Sequence, residues 1–242
     1  MKLDLMTVHS PKISDVVCPI FLGAWKDNEF EYRTITGTTF SIGKRGFAIT
    51  AAHVIDQIAD DGGGAAVGAV SAAGVWVPIR ILESEKHPTE DVGILRLASI
   101  PHPSWLVISH TSENQSCTYD CWGYPIAIAE LSSKYEEDGL DNPDLVYTHG
   151  YIRRRISRSL PMSVYRGVAF YEISDIAGDG CSGGPVIKKK SVGGATWDIL
   201  GIYIGASQAS GIEVAYATRA DAFADWVPKI LNRSVSEESR DL

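Results

Sequence analysis

Gly180-Cys181-Ser182-Gly183-Gly184-Pro185 follows the apolar and aromatic run GVAFYEIS (167–174). A serine between glycines after a strand is either a glycine-rich turn with a local hydrogen bond or a nucleophile carried on a tight turn. The second form has strict needs: the hydroxyl must project, and neighbouring backbone N–H groups must point at a developing oxyanion. A glycine before the serine permits the unusual backbone conformation this requires. Glycines after it let a substrate approach the main chain, and the Gly-Gly-Pro ending narrows the pattern further.

Outward from this turn the chain is a series of short apolar segments divided by turn residues. They include CPIFLGAW (18–25), EFEYRTITGTTFSIG (29–43), GFAITAAHVI (46–55), GVWVPIRIL (74–82), DVGILRL (91–97), QSCTYDCWGYP (115–125), LVYTHGYIRRRI (145–156), GPVIKKK (184–190), WDILGIYIG (197–205) and GIEVAYAT (211–218). Their Val, Ile, Tyr, Phe and Thr content reads as strands. About a dozen short strands in 242 residues predict an all-β chain, a sandwich or barrels, with one large domain or two smaller ones. Long amphipathic helix patterns are nearly absent before the C-terminus. There Thr218 is placed to N-cap a short helix over 220–226, with Ala222, Phe223 and Trp226 on its apolar face and Pro228 limiting it. The tail SVSEESRDL (234–242) reads as polar and frayed. DDGGG (60–64) reads as a flexible turn, and EEDGLDNPD (136–144) as a long acidic loop.

A net charge of −8 argues against nucleic acid as a partner, because phosphate contacts need clustered Lys and Arg. One basic cluster exists, Arg153, Arg154, Arg155 and Arg158, and reads as a solvated strand edge or, functionally, as a site for an acidic partner. The start, MKLDLMTVHSPKISD, has no apolar leader core, and no window reaches the ~18 apolar residues of a membrane span. The expectation is a cytoplasmic protein without membrane contact, its four cysteines reduced and mostly buried. Cys117 and Cys121 form a lone C-x3-C with no second pair, so no metal is expected.

A serine needs a base. Of six histidines, His53 stands in AITAAHVI (48–55), where small residues before it and apolar residues after it suit an imidazole at a strand end facing a cleft. His87 and His102 adjoin prolines and read as surface turns. The third member should be a buried carboxylate orienting the imidazole. Asp91 heads the apolar DVGILRL, and a buried charge there requires a partner that a histidine N–H would supply. Glu90 points the other way, and Asp56 is a lesser candidate.

TAAHVI, DVGILRL and GCSGGP, in the order His, Asp, Ser and at separations of 38 and 91 residues, resemble the trypsin/chymotrypsin-like serine peptidases, in particular bacterial members not activated by proteolysis. The likeness runs from about residue 17 to 228. It implies two perpendicular six-stranded antiparallel β-barrels, about 17–112 and 113–218, followed by the helix and tail of 219–242. It implies a triad of His53, Asp91 and Ser182, oxyanion donors at the N–H groups of Gly180 and Ser182, and no cofactor. Tyr203, Ile204, Gly205 and Ala206 fall on the family's substrate-pairing strand, where a peptide adds as a further strand. Cys181 stands where zymogen-type members carry Asp, and an IVGG-like start is missing, which argues against trypsin-style activation. Ile204 replaces a serine that often supports the triad Asp. Ile176 falls at the pocket-base position, which implies cleavage after a small or apolar residue, although Asp175 and Asp179 keep a basic preference open. The glycine spacing fits Ser182 rather than Cys181 as nucleophile.

The resemblance implies a serine endopeptidase acting on protein or peptide, with a dedicated processing role under a protein regulator as one form of that reading. The rival is a non-catalytic peptide-binding module on the same fold.

Overall fold

The computed structural model describes residues 12–70, 76–100, 102–128, 143–160, 165–188, 196–209 and 212–242. Most of the acidic stretch at 136–144 lies outside them.

Six strands form the first barrel: β1 (Val17–Lys26), β2 (Glu29–Ile42), β3 (Phe47–Thr50), β4 (Ala65–Val70), β5 (Trp76–Lys86) and β6 (Gly93–Leu97). Their order is β1-β2-β3-β6-β5-β4, and the β1–β4 pairing, Ile20 opposite Val67, closes the ring. Closure removes the free edges that an open sheet would expose. Phe21, Phe40, Ile20, Ile35, Ile42 and Ile49 fill the interior and are almost wholly buried.

The second barrel contains β8 (Thr118–Gly123), β9 (Val146–Ser157), β10 (Ala169–Ile173), β11 (Pro185–Lys188), β12 (Trp197–Ala209) and β13 (Ile212–Arg219). β11 pairs with both β8 and β12, and so closes this ring. The two closed six-stranded antiparallel rings are the chymotrypsin-like all-β fold. A short extra strand, β7 (Leu106–Ile108), lies parallel to β12, so this stretch of the expected first-barrel range joins the second sheet. Tyr119, Tyr171 and Tyr203 are buried in this half. Buried phenols need partners. Tyr171 accepts a hydrogen bond from Glu113 N at 2.7 Å, and Tyr119 accepts one from Asp175 N at 3.2 Å, which ties the chain entering the serine turn to the barrel.

Three local expectations change. The run 46–55 is not one strand: β3 ends at Thr50, and after Ala51 α1 (Ala52–Asp61) begins. Val54 and Ile55 are buried and Ile58 packs on the same core, a helical spacing. Gly62, at φ 68°, closes the helix in the left-handed conformation. Thr218 does not cap a helix. It lies in β13 with a buried side chain, and Ala220–Ala222 makes only a 3-10 turn. The tail is not frayed. Ser234 accepts from Glu237 N, and the Glu237 carboxylate accepts from Ser234 N, a reciprocal capping box that starts α2 (Val235–Ser239). The basic cluster is largely paired: Arg153 and Arg154 with Glu172, and Arg155 with Asp221. No helix among the described residues is long and apolar enough to cross a membrane.

Candidate active site

His53 is the second residue of α1, so the helix rather than a strand end aims the imidazole. Its Nδ1 lies 2.8 Å from Asp91 Oδ2, and its backbone N–H donates to Asp91 Oδ1 at 3.0 Å. Both oxygens of this carboxylate, 1% exposed, are therefore engaged by one residue. A buried charge is tolerated on those terms. The His53 side chain keeps 29% of its surface and faces a cavity of about 800 Å³ lined also by Gly180, Ser182, Ile204 and Gly205.

The turn carrying Asp91 is built by residues the sequence did not single out for the task. His87 is no surface histidine. It is nearly buried, and its Nδ1 accepts from Thr89 N at 3.2 Å and Glu90 N at 2.9 Å. Burial, opposed by Glu90 and assisted by Arg166, lowers its pKa. Arg166 bonds the carbonyls of His87 and Pro88 at 2.6 and 2.8 Å. Glu90 does turn away from His53: its carboxylate accepts from Val168 N and Ala169 N. Asp56 pairs with Lys86 on the surface.

At the serine turn, Gly180 and Gly183 have φ near +90°, a region closed to most side chains. Space forbids a Cβ as well: at Gly180 it would meet Tyr124 O at 2.5 Å, and at Gly183 Thr38 O at 2.1 Å. The N–H groups of Cys181, Gly183 and Gly184 have acceptors, whereas those of Gly180 and Ser182 have none among the described residues. Two donors of the serine turn are thus without an acceptor among the described residues. Ser182 Oγ donates to Ile204 O at 3.4 Å, and no hydrogen bond joins it to His53. Thr38, from the first barrel, clamps the turn across the interface. Its N–H donates to Ser182 O at 2.8 Å, its hydroxyl donates to Gly180 O at 2.8 Å, and the same hydroxyl accepts from Tyr124 N at 3.0 Å. A buried threonine in TGTTF carries no motif, so sequence reading passes over it.

Cys181 is buried, donates to Ala177 O at 3.1 Å, and burial pushes its thiol well above the ordinary range. Of the other thiols, burial pushes Cys18 and Cys121 up to about 12. Cys18, Cys117, Cys121 and Cys181 are free, and no group of three or more metal-ligating side chains occurs among the described residues. The expected substrate-contacting residues divide. Ile204 and Gly205 line the cavity, and Ala206 accepts a bond from Tyr165, which lines it too. Tyr203 points into the second barrel's core. Ile176 is 38% exposed and does not line the cavity, whereas Asp179 does.

The trypsin-like peptidase domain model matches residues 37–193. No curated protein sequence matches the chain. Among solved structures, the chain is similar to the MamO protease domain of Magnetospirillum magneticum, at 13% identity and TM-score 0.60, with 90% of this chain and 98% of that one covered. It is also similar to the active form of the Rv3671c protease of M. tuberculosis, at 21% identity, TM-score 0.56 and coverage of 86% and 77%. A third is the HtrA-type protease AlgW with tripeptide, at 14% identity, TM-score 0.57 and coverage of 85% and 56%. These likenesses concern the fold, and the domain match concerns the family. With both barrels closed and the serine turn facing His53 across one cavity, the chain belongs to the trypsin-like peptidase domain family and is a serine protease.

Proposed function

We propose that Ser182, His53 and Asp91 act as nucleophile, general base and orienting carboxylate of an endopeptidase. The observation that carries this reading is the His53–Asp91 pair facing the same cavity as Ser182 and the two unengaged N–H groups. A rotation about χ1, between staggered wells, takes the Ser182 hydroxyl from Ile204 O toward His53 Nε2. His53 then accepts the proton as Oγ attacks the scissile carbonyl, and Asp91 stabilises the imidazolium. The N–H groups of Gly180 and Ser182 hold the oxyanion, and the imidazolium protonates the leaving amine. Water, activated by His53, releases the acyl group from Ser182. Burial and a raised pKa keep Cys181 out of this chemistry.

Before the scissile bond a small or apolar residue is preferred. Ile126 and Ile204, which line the cavity with Gly180 and Ser182, support this in place of Ile176. Asp179 on the same lining is the feature that would favour Lys or Arg instead. A fluorophosphonate tests the chemistry. The adduct should map to Ser182 and disappear in His53→Ala; an adduct elsewhere, or none in folded protein, sinks the triad and favours a binding module. Cleavage of a random peptide library tests the preference, and a strong Lys/Arg selection would overturn it.

A further inference from the structure

We propose that Tyr165 determines specificity by competing with the substrate's own backbone for the Ala206 carbonyl; this rests on the peptidase reading above. Backbone pairing on this side of β12 runs through Pro185 opposite Ile202 and ends where Gly183 and Gly184 bond Tyr203, so beyond Tyr203 β12 offers an edge to the cleft. Carbonyls two residues apart on a strand point to the same edge. On this edge both acceptors are occupied: Ile204 O by Ser182 Oγ at 3.4 Å, and Ala206 O by the Tyr165 hydroxyl at 2.9 Å. The first bond is long and is given up when Ser182 turns to His53. The second is short and part-buried.

Tyr165 also packs near two other rings. Its ring lies 6.2 Å from the His53 ring and 6.4 Å from that of Tyr216. The neighbouring Arg166 and Val168 are bonded to the turn that carries Asp91. Residue 205 is matched to this arrangement: a Cβ on Gly205, at φ +124°, would stand 2.3 Å from the Tyr165 hydroxyl. Only glycine lets the phenol cross to Ala206.

A peptide adding to this edge places the N–H of the residue before the scissile bond on Ile204 O, next to Ser182. Two residues upstream, its next inward N–H meets an acceptor already taken by Tyr165. While the phenol holds Ala206 O, the N–H of the third residue on the acyl side therefore adds little to binding. The enzyme accepts a third residue that has no N–H to offer, such as proline.

The test uses two synthetic peptides of one sequence, with either an amide or an ester linkage replacing the N–H of the third residue before the scissile bond. Wild type should cleave both at similar kcat/KM. Tyr165→Phe, which keeps the ring and removes the competing hydroxyl, should prefer the amide about two- to tenfold, the ordinary worth of one net hydrogen bond. A wild-type preference as large as the variant's, or no preference in either, overturns the proposal. Fluorophosphonate labelling of Ser182 is run on both proteins. Labelling with a flat amide/ester comparison refutes the role of Tyr165 alone, whereas neither labelling nor cleavage refutes the peptidase reading and this proposal with it.

Discussion

The serine turn at 180–185 and the C-terminal strap at 234–242 are held by opposite means. In the turn, the holding bonds are neutral: Thr38 grips Gly180 O and Ser182 O, and Gly183 N donates to Tyr203 O. The groups that matter for chemistry are left uncommitted or weakly bonded. In the strap nearly everything polar is engaged with the body. Glu238, fully buried, takes Arg45 Nε at 2.9 Å and Arg233 Nε at 2.6 Å, both on Oε2, while its Oε1 is buried without a hydrogen-bond partner among the described residues. Asp241 meets Lys44 at 2.8 Å, and Ser239 Oγ accepts from Ile108 N at 3.0 Å. A strap can satisfy most of its polar groups and so contribute stability. A reactive turn must keep some unsatisfied, and depends on its surroundings to hold it in place.

This contrast makes the largest predicted effects separable. Ser182→Ala should lower kcat by about 10⁴-fold or more while the unfolding midpoint stays within measurement error. A large drop in midpoint would mean that the hydroxyl is structural, and that the contrast is false. Glu238→Ala should do the reverse. Both arginines keep contact with water, so losing this pairing and leaving a small gap should remove about 1–3 kcal/mol from the unfolding free energy, with kcat/KM of the folded fraction within about twofold of wild type. Denaturant unfolding and active-site titration measure the two quantities on one sample.

The same contrast marks what the sequence could reveal. The serine turn was legible because its chemistry forces residue types: glycine at positive φ, serine at the tip, and a histidine and an aspartate in apolar contexts. Most strands were legible from β-branched and aromatic runs. β4 was not, because AAVGAV (65–70) is buried inside a closed barrel where small side chains fit, and composition gives no strand signal. α1 was hidden because its apolar residues continue those of β3 without a polar break. The strap was missed for a different reason. SVSEESRDL looks solvated by composition, yet Ser234 and Glu237 have capping-box spacing, and Glu238 is buried only because Arg45 and Arg233 meet it there. Those pairings, like the grip of Thr38 on Gly180, join residues distant in the chain and leave no local pattern.

Thr38 sharpens the comparison from the catalytic side. Thr38→Val keeps the shape but strands Gly180 O and Tyr124 N, both of which use its hydroxyl. The loss should be about 1–3 kcal/mol of stability, together with a fall in kcat of about tenfold as the oxyanion donors lose their support. Thr38→Ser retains the hydroxyl and should recover most of kcat. An unchanged kcat in Thr38→Val would show that the turn holds its geometry without the cross-barrel clamp.

His87 produces the smallest effect and connects the site to pH. In the native protein burial holds its imidazole neutral, and Nδ1 accepts two N–H groups of the turn that carries Asp91. The facing charges oppose one another, Glu90 favouring the proton and Arg166 disfavouring it, while the Trp226 ring packs at a steep angle, its centroid 5.1 Å away. On unfolding, the residue returns to its ordinary affinity near 6.5. Between that pH and the lower native value, the unfolded chain binds a proton that the native chain does not, so stability falls as pH falls; above and below this window the residue contributes no slope. His87→Asn keeps an acceptor on a short side chain and removes the titration. Its unfolding free energy should decline less steeply than that of wild type as pH drops below 6.5. Parallel slopes would assign the acid sensitivity to other groups and leave His87 with a purely geometric part in holding Asp91.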